Sequence, residues 1–230
     1  MRQQLFGAIA LTTLLYFGIS EKVHAVGITL DQSTDVGEFL NNAGVTNTQP
    51  FGTPLTSIAG NLGGGDNIDL YQIYLPVGTF TASTVGGTNL DTQLFLFNSG
   101  GIGVIANNDN FPDFQSQISL PISTAGNYYL GVSLIGFNPQ SATGPIFAID
   151  PITNGVQDPS IPGAGFGSSL NGWSSDFSPG QEGYTINVTG AQFVGSTANA
   201  AVPFDFNPTF SVTILGLWAG WKYVKNRKKN

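Results

Sequence analysis

Apolar residues recur at every second position in several short runs of this chain, and clusters of Gly, Pro, Asn and Ser separate the runs. In 69–75 one face takes Tyr71, Ile73 and Leu75. In 90–97 Leu90, Leu94 and Leu96 share one face, while Asp91, Gln93, Phe95 and Phe97 share the other. Tyr128, Leu130, Val132 and Leu134 alternate after Gly126 and Asn127, and Tyr184, Ile186 and Val188 alternate further on. Period two is the pattern of half-buried strands. Segments 79–85, 103–106, 117–122 and 145–149 supply further strands, and only 36–42 reads as a helix within the body. Short strands between turn clusters predict an all-β domain over 26–190, a β-sandwich of the jelly-roll type. Within it 137–182 is an atypical insertion, of which 151–181 reads as a long loop, and 191–202 reads as a linker. No period of 20 to 50 residues repeats, which sets solenoids aside.

The two ends follow a different pattern. Arg2 precedes a mostly apolar run from Leu5 to Ile19, and Val23-His24-Ala25 follows. A basic start, an apolar stretch and small residues two apart are the layout of a secretory signal peptide, residues 1–25, with cleavage between Ala25 and Val26. At the other end the apolar run Thr209–Trp221 is followed by five basic residues in the last nine. Thirteen helical residues at ~1.5 Å each reach about 20 Å, short of a hydrocarbon core of ~30 Å. Residues 203–230 therefore read as a motif, an apolar helix and a basic cytoplasmic tail, suited to transient inner-membrane association. A permanent single-pass anchor is the other reading.

Charge sharpens the picture. All seven Lys and Arg and the single His lie outside 26–221, whereas 26–201 holds ten Asp and two Glu. Such a body repels phosphate backbones, which excludes nucleic acid as a partner. Cysteine is absent, and no His, Lys or Arg lies between Val26 and Trp221. Ser-His-Asp and Cys-His centres, histidine or thiolate zinc sites and lysine Schiff bases are thereby closed to the mature chain. Carboxylate-dependent glycoside hydrolysis is the one enzymatic alternative left, and the expectation is no enzyme. Carboxylates and amides do suit hard cations, since Ca²⁺ takes six to eight oxygen ligands. Asp66, Asp69, Asp91, Asn107, Asp109 and Asp113, with Asn98 and Asn108 beside them, are the candidate metal ligands. The same residue types also form turns through their own backbones, so both readings stand. Phe95, Phe97, Phe111, Phe114, Tyr129 and Trp173 offer either an aromatic binding surface or a second core.

Two resemblances add to this. Val202-Pro203-Phe204-Asp205-Phe206-Asn207-Pro208 resembles the opening of C-terminal sorting signals of the PEP-CTERM type, in the variant common in cyanobacteria, with Asp205 and Asn207 where that variant has Glu and Ser. The sorting residues are then Val202, Pro203, Phe204, Asp205, Phe206 and Pro208. The resemblance implies an exosortase-type processing enzyme as a partner and delivery to the cell surface or exterior. The body resembles the bacterial pre-peptidase C-terminal (PPC) domain over 34–136, and weakly at 183–188. The residues that carry it are Thr34-Asp35-Val36-Gly37, 58–62, Asp66-x-x-Asp69-x-Tyr71, Leu90-Asp91-x-x-Leu94, Ala106-Asn107-Asn108-Asp109 and Gly126-x-Tyr128-Tyr129. That family implies a non-catalytic β-sandwich on secreted proteases or surface proteins, acidic positions recurring at Asp69, Asp91 and Asp109, and calcium in some relatives. The expected function is thus an exported, non-catalytic surface module for adhesion or matrix association, with exopolysaccharide or a surface protein as partner. An accessory module of a secreted hydrolase is the alternative.

Overall fold

A computed structural model describes residues 28–31, 35–148, 156–157, 163–174 and 181–195. The signal segment with Ala25 and Val26, the terminal apolar runs expected to be helical, and the sorting residues 202–208 lie outside the described residues. Fourteen strands follow in chain order. They are β1 (Ile28–Asp31), β2 (Gly44–Val45), β3 (Pro54–Leu62), β4 (Ile68–Leu75), β5 (Gly78–Ser83), β6 (Thr92–Asn98) and β7 (Gly103–Asn107). Then come β8 (Gln117–Ile122), β9 (Gly126–Leu134), β10 (Pro139–Ser141), β11 (Gly144–Pro145), β12 (Val156–Gln157), β13 (Gly172–Trp173) and β14 (Glu182–Gln192). The described residues form no helix, and none is long and apolar enough to cross a membrane. The fold is all-β.

Two runs of strands face each other. One is β1-β3-β14-β5-β8, in which β14 pairs with β3 on one side and with β5 on the other. The second is β2-β4-β9-β6-β7-β12. At one seam the pair Gln192↔Tyr74 joins β14 to β4. At the other, Asn107 Nδ2 donates to the Gln117 carbonyl at 2.8 Å, between β7 and β8. The sheet is therefore nearly closed, like a barrel.

Alternation explains the core. Leu94 and Leu96, Leu130, Val132 and Leu134, Tyr71, Ile73 and Leu75, and Tyr184, Ile186 and Val188 all point into the space between the two runs. The opposite face of β4, β9, β6 and β7 carries Leu70, Tyr129, Phe95, Phe97 and Ala106, and it is buried too. Its cover comes from the segment read as an atypical insertion. The small sheet β11-β10-β13 brings Ile146, Phe147, Leu170 and Trp173 down on it. The Trp173 indole packs edge-on against Phe95 (ring centroids 5.5 Å apart) and donates from Nε1 to the Glu38 carbonyl at 2.9 Å. Phe95, Phe97, Tyr129 and Trp173 are thus a second core rather than a binding face.

Three expectations are corrected. Residues 36–42 form a tight turn instead of a helix. The Asn42 side chain accepts from the Phe39 N–H at 2.8 Å, and Gly37 N–H donates to the Asn42 carbonyl at 3.1 Å, so a local Asn outcompetes the helical ladder. The strand expected at 145–149, described as far as 148, stops at Pro145: the Ile146 N–H donates to the Pro139 carbonyl at 3.0 Å, but Pro139 has no N–H to return the bond, and Ile146 and Phe147 are both buried. The domain does not end at 190: β14 runs to Gln192 and Phe193 is buried in the main core. Pairing along β14 shifts between Asn187 and Ala191, where Gly190 takes φ +74° against the Thr79 carbonyl, the geometry of a bulge.

Gly60 on β3 makes room for a buried phenol pair. A Cβ there would collide with the Tyr184 hydroxyl and sit 2.9 Å from the Tyr71 hydroxyl. Gly60→Ala is therefore expected to lower the unfolding free energy by about 1–3 kcal/mol, read as a drop in the urea midpoint with unchanged slope. An unaltered midpoint would show that the pair has slack.

Candidate metal centre

Strand register sends the charged residues to one end of the molecule. Leu62 pairs with Glu182, Asp69 with Val132, Thr92 with Leu134, Leu94 with Asn107, and Ser83 with Gln117. The loops and strand ends that gather here hold Asp35, Asp66, Asp69, Asp91, Asp109, Asp113 and Glu182. The loops at the opposite end, 46–53, 76–77, 99–102, 123–125 and 193–195, hold no charged residue.

Asp69, the second residue of β4, is the most deeply placed of these carboxylates, at 2% exposure. Its Oδ2 accepts a hydrogen bond of 2.5 Å from the Tyr184 hydroxyl, which lies 2.5 Å from the Tyr71 hydroxyl. Burial above all holds both phenols well above their ordinary range, followed by the charge of Asp69 for Tyr71 and by Tyr71 and then Asp69 for Tyr184, so they remain donors. The other Asp69 oxygen, Oδ1, is buried without a hydrogen-bond partner, and so is Asp66 Oδ1. Asp66 sits in the Gly63–Asp66 turn, whose three glycines all take positive φ. Asp35 joins them from the segment ahead of the 36–42 turn: ligand oxygens of Asp35, Asp66 and Asp69 lie within 4.8 Å of one another.

Burial pushes the Asp69 carboxyl up to about 7, with the Tyr184 hydrogen bond opposing it and the charges of Asp66 and Asp35 adding to it. Burial also pushes Asp66 up to about 6, helped by the charges of Asp35 and Glu38. Carboxylate oxygens are acceptors only, and the described chain offers no cationic side chain to pair with them. Such a group either takes a proton or holds a cation. The donor set fits a hard divalent ion, with Asp35, Asp66 and Asp69 as the residues that would hold it.

The six candidate ligands fall into separate groups. Asp66 and Asp69 gather with Asp35, which was not read as a ligand. Asp91 neighbours Asp109 at the mouth of β6 and β7, with Asn107 and Asn108 buried beside them. Asp113 stays exposed in a turn, its N–H donating to the Asn110 carbonyl at 3.0 Å. Asn98 is a turn former at the uncharged end, accepting from Gly100 and Ile102. Sequence reasoning missed Asp35 because it lies 31 positions from Asp66, and it missed the Tyr71–Tyr184 pair because a core-facing Tyr at period two reads as packing.

The fold and this site define a nearly closed all-β module with an acidic end. Residues 67–134 match the family model of the bacterial pre-peptidase C-terminal domain. That span runs from the residue before β4 to the end of β9, so it contains Asp69, Asp91 and 107–109 but neither Asp35 nor Asp66. Among solved structures, the chain is similar to the pre-peptidase C-terminal domain of a collagenase from Bacillus anthracis, at 12% identity and a TM-score of 0.30, covering 71% of this chain and 96% of that one. No curated protein matches the chain.

The raised carboxyls make the ion-free protein sensitive to alkali. An acid with a folded value of 6 to 7 against 3.8 unfolded binds its proton more tightly when folded. The stability linked to that proton is present below the unfolded value and is lost as pH rises through 6 and 7. In a chelator the melting midpoint is expected to fall between pH 5 and pH 8. A midpoint that holds or rises over that range would contradict the burial of these charges.

Proposed function

We propose that this chain works outside the cytoplasm as a non-catalytic β module that takes up Ca²⁺ at its acidic end and associates with exopolysaccharide or a surface protein. The observation that carries the calcium reading is the Asp35–Asp66–Asp69 group, with two buried oxygens lacking a hydrogen-bond partner and no basic side chain among the described residues. Ca²⁺ tolerates irregular oxygen cages, whereas Mg²⁺ demands tight octahedral geometry and keeps its waters. A non-catalytic role is supported by the lack of any His, Cys, Lys or Arg between Val26 and Trp221. Two clefts among the described residues, one along 120–128 and one between Asn138 and Phe147, are lined by no carboxylate. Export rests on the layout of residues 1–25, and surface sorting through an exosortase-type enzyme rests on Val202 to Pro208 with the apolar run and basic tail. A second reading, an accessory module acting beside a secreted hydrolase, is favoured by the pre-peptidase match over 67–134.

Millimolar Ca²⁺ is expected to raise the melting midpoint of the chain more than Mg²⁺ does, and more than NaCl at matched ionic strength. An ion that binds only the folded form adds about 2.7 kcal/mol at a hundredfold excess over Kd. Asp66→Asn should remove much of that gain. Equal curves in chelator, Ca²⁺ and matched NaCl would make these residues turn formers and nothing more.

Export has its own test. Protein isolated from the native envelope is expected to begin at Val26 and to have lost everything after the 203–208 region, by N-terminal sequencing and intact mass. A chain that still begins at Met1 would refute export, and one that retains Lys228 would favour a permanent anchor.

A further inference from the structure

A second set of buried oxygens without partners lies across the same end of the molecule. Asn107 and Asn108 are fully buried and Asp109 nearly so. The Oδ1 atoms of Asp91, Asn107, Asn108 and Asp109 all lack a hydrogen-bond partner, as does Asn108 Nδ2. Neighbouring polar groups show how unusual this is. Thr84 and Thr92 share a hydroxyl hydrogen bond of 2.7 Å, and Thr84 accepts from the Ser116 N–H at 3.0 Å. Leaving a buried acceptor unpaired costs ~1–3 kcal/mol, and here four acceptors belong to one stretch of three residues and the aspartate facing it.

The segments that carry them converge. Leu94 pairs with Asn107, so the chain before β6 and the chain after β7 run side by side. The Ser116 hydroxyl lies 2.6 Å from the Thr92 carbonyl and 3.0 Å from the Asn107 carbonyl, and it also bonds the Asn108 carbonyl. One hydroxyl proton thus serves three carbonyls, one at the start of β6 and two at the end of β7. This group is electrostatically separate from the first. The like charge felt by Asp91 is that of Asp109, whereas Asp66 feels Asp35 and Glu38.

We propose that Asp91, Asn107, Asn108 and Asp109 form a second divalent-cation site, of the calcium type, distinct from the Asp35–Asp66–Asp69 group. Two carboxylates and two amide carbonyls supply oxygen donors only, the set a hard cation takes. The unpaired Asn108 amide N–H would donate to a water of the ion. The site lies where Asn107 ties β7 to β8, so its occupant fastens the seam that nearly closes the sheet. Asn108 and Asp109 open the loop that displays Phe111 and Phe114, which are 77% and 64% exposed, and Ser116, bonded to the Asn107 and Asn108 carbonyls, closes it.

Calorimetric titration of the chelator-stripped full chain with CaCl₂ separates this site from the first. The expected stoichiometry is two Ca²⁺ per chain, one in the double variant D91N/D109N and one in D35N/D66N. A wild-type chain that binds one Ca²⁺, lost in D35N/D66N and kept in D91N/D109N, overturns the second site and leaves the first standing. The reverse pattern upholds the second site and overturns the first. Chymotrypsin gives a readout that does not depend on the folding of D91N/D109N. In D35N/D66N, Ca²⁺ is expected to slow cleavage after Phe114 at least several-fold, and a rate insensitive to Ca²⁺ overturns the proposal.

Discussion

Asp69 is where the core meets the charged end, and the arrangement of both depends on it. A carboxylate at 2% exposure normally requires a basic partner or a full set of donors. Its side-chain donor is the hydroxyl of Tyr184, which comes from β14 in the facing run of strands, and the Val36 backbone adds a second. Tyr184 in turn meets Tyr71 of β4, so a short polar chain crosses the apolar core and ends at the carboxylate. Gly60 leaves the space in which the two phenols meet. The register of β14 against β3 and the position of β4 are therefore coupled through three side chains. A one-residue slip of either strand would turn Tyr71 or Tyr184 to the other face and break the polar chain that ends at Asp69.

The second core has a comparable economy of parts. Strands β4, β9, β6 and β7 are apolar on both faces, so they need cover on the side away from β3 and β14. The described pieces of 137–174 provide it with few strand hydrogen bonds and large side chains. Phe147 packs against Phe95 and Phe97, and Trp173 reaches both. Trp173 also bonds the Glu38 carbonyl, which ties this cover to the turn next to Asp35. The aromatic layer and the first acidic group are thus linked by a single intervening segment.

Strands that carry a clean period of two were legible from sequence. The faces of β4, β6, β9 and β14 came out as the alternation of 71/73/75, 94/96, 130/132/134 and 184/186/188 implies. Strand β3 was not read from its pattern, because its buried positions change phase between Leu55 and Ile58, opposite the bulge in β14. The 36–42 segment misleads for a local reason: its apolar residues suit a helix, but Asn42 closes a turn on Phe39. The resemblance read over 34–136 is matched over 67–134. Candidate ligands were legible as residue types, since Asp and Asn crowd the strand ends. Their grouping was not, because the register of β6 against β7 brings Asp91 to Asp109, and Asp35 reaches Asp66 and Asp69 only through the fold. The cover formed by 137–174 had no period to read: Ile146 and Phe147 are adjacent and both buried.

The complete lack of Lys, Arg and His in the body explains why its charged end is conditional. A protein with mixed charges can neutralise a buried carboxylate with its own residues, whatever the solvent. Here neutralisation has to come from protons or from dissolved cations, so the stability of this end follows the composition of the surroundings. Linkage makes the dependence steep where it matters. Where a binding cation is scarce the term RT ln(1 + [L]/Kd) vanishes, and it grows by ~1.4 kcal/mol with each tenfold excess over Kd. Under the proposed export, the unfolded chain leaves a compartment poor in free Ca²⁺ at near-neutral pH, where the carboxylates oppose compaction. It then enters surroundings where an ion can hold them together. The same unpaired oxygens that weaken the fold before export become, on that reading, what secures it afterwards.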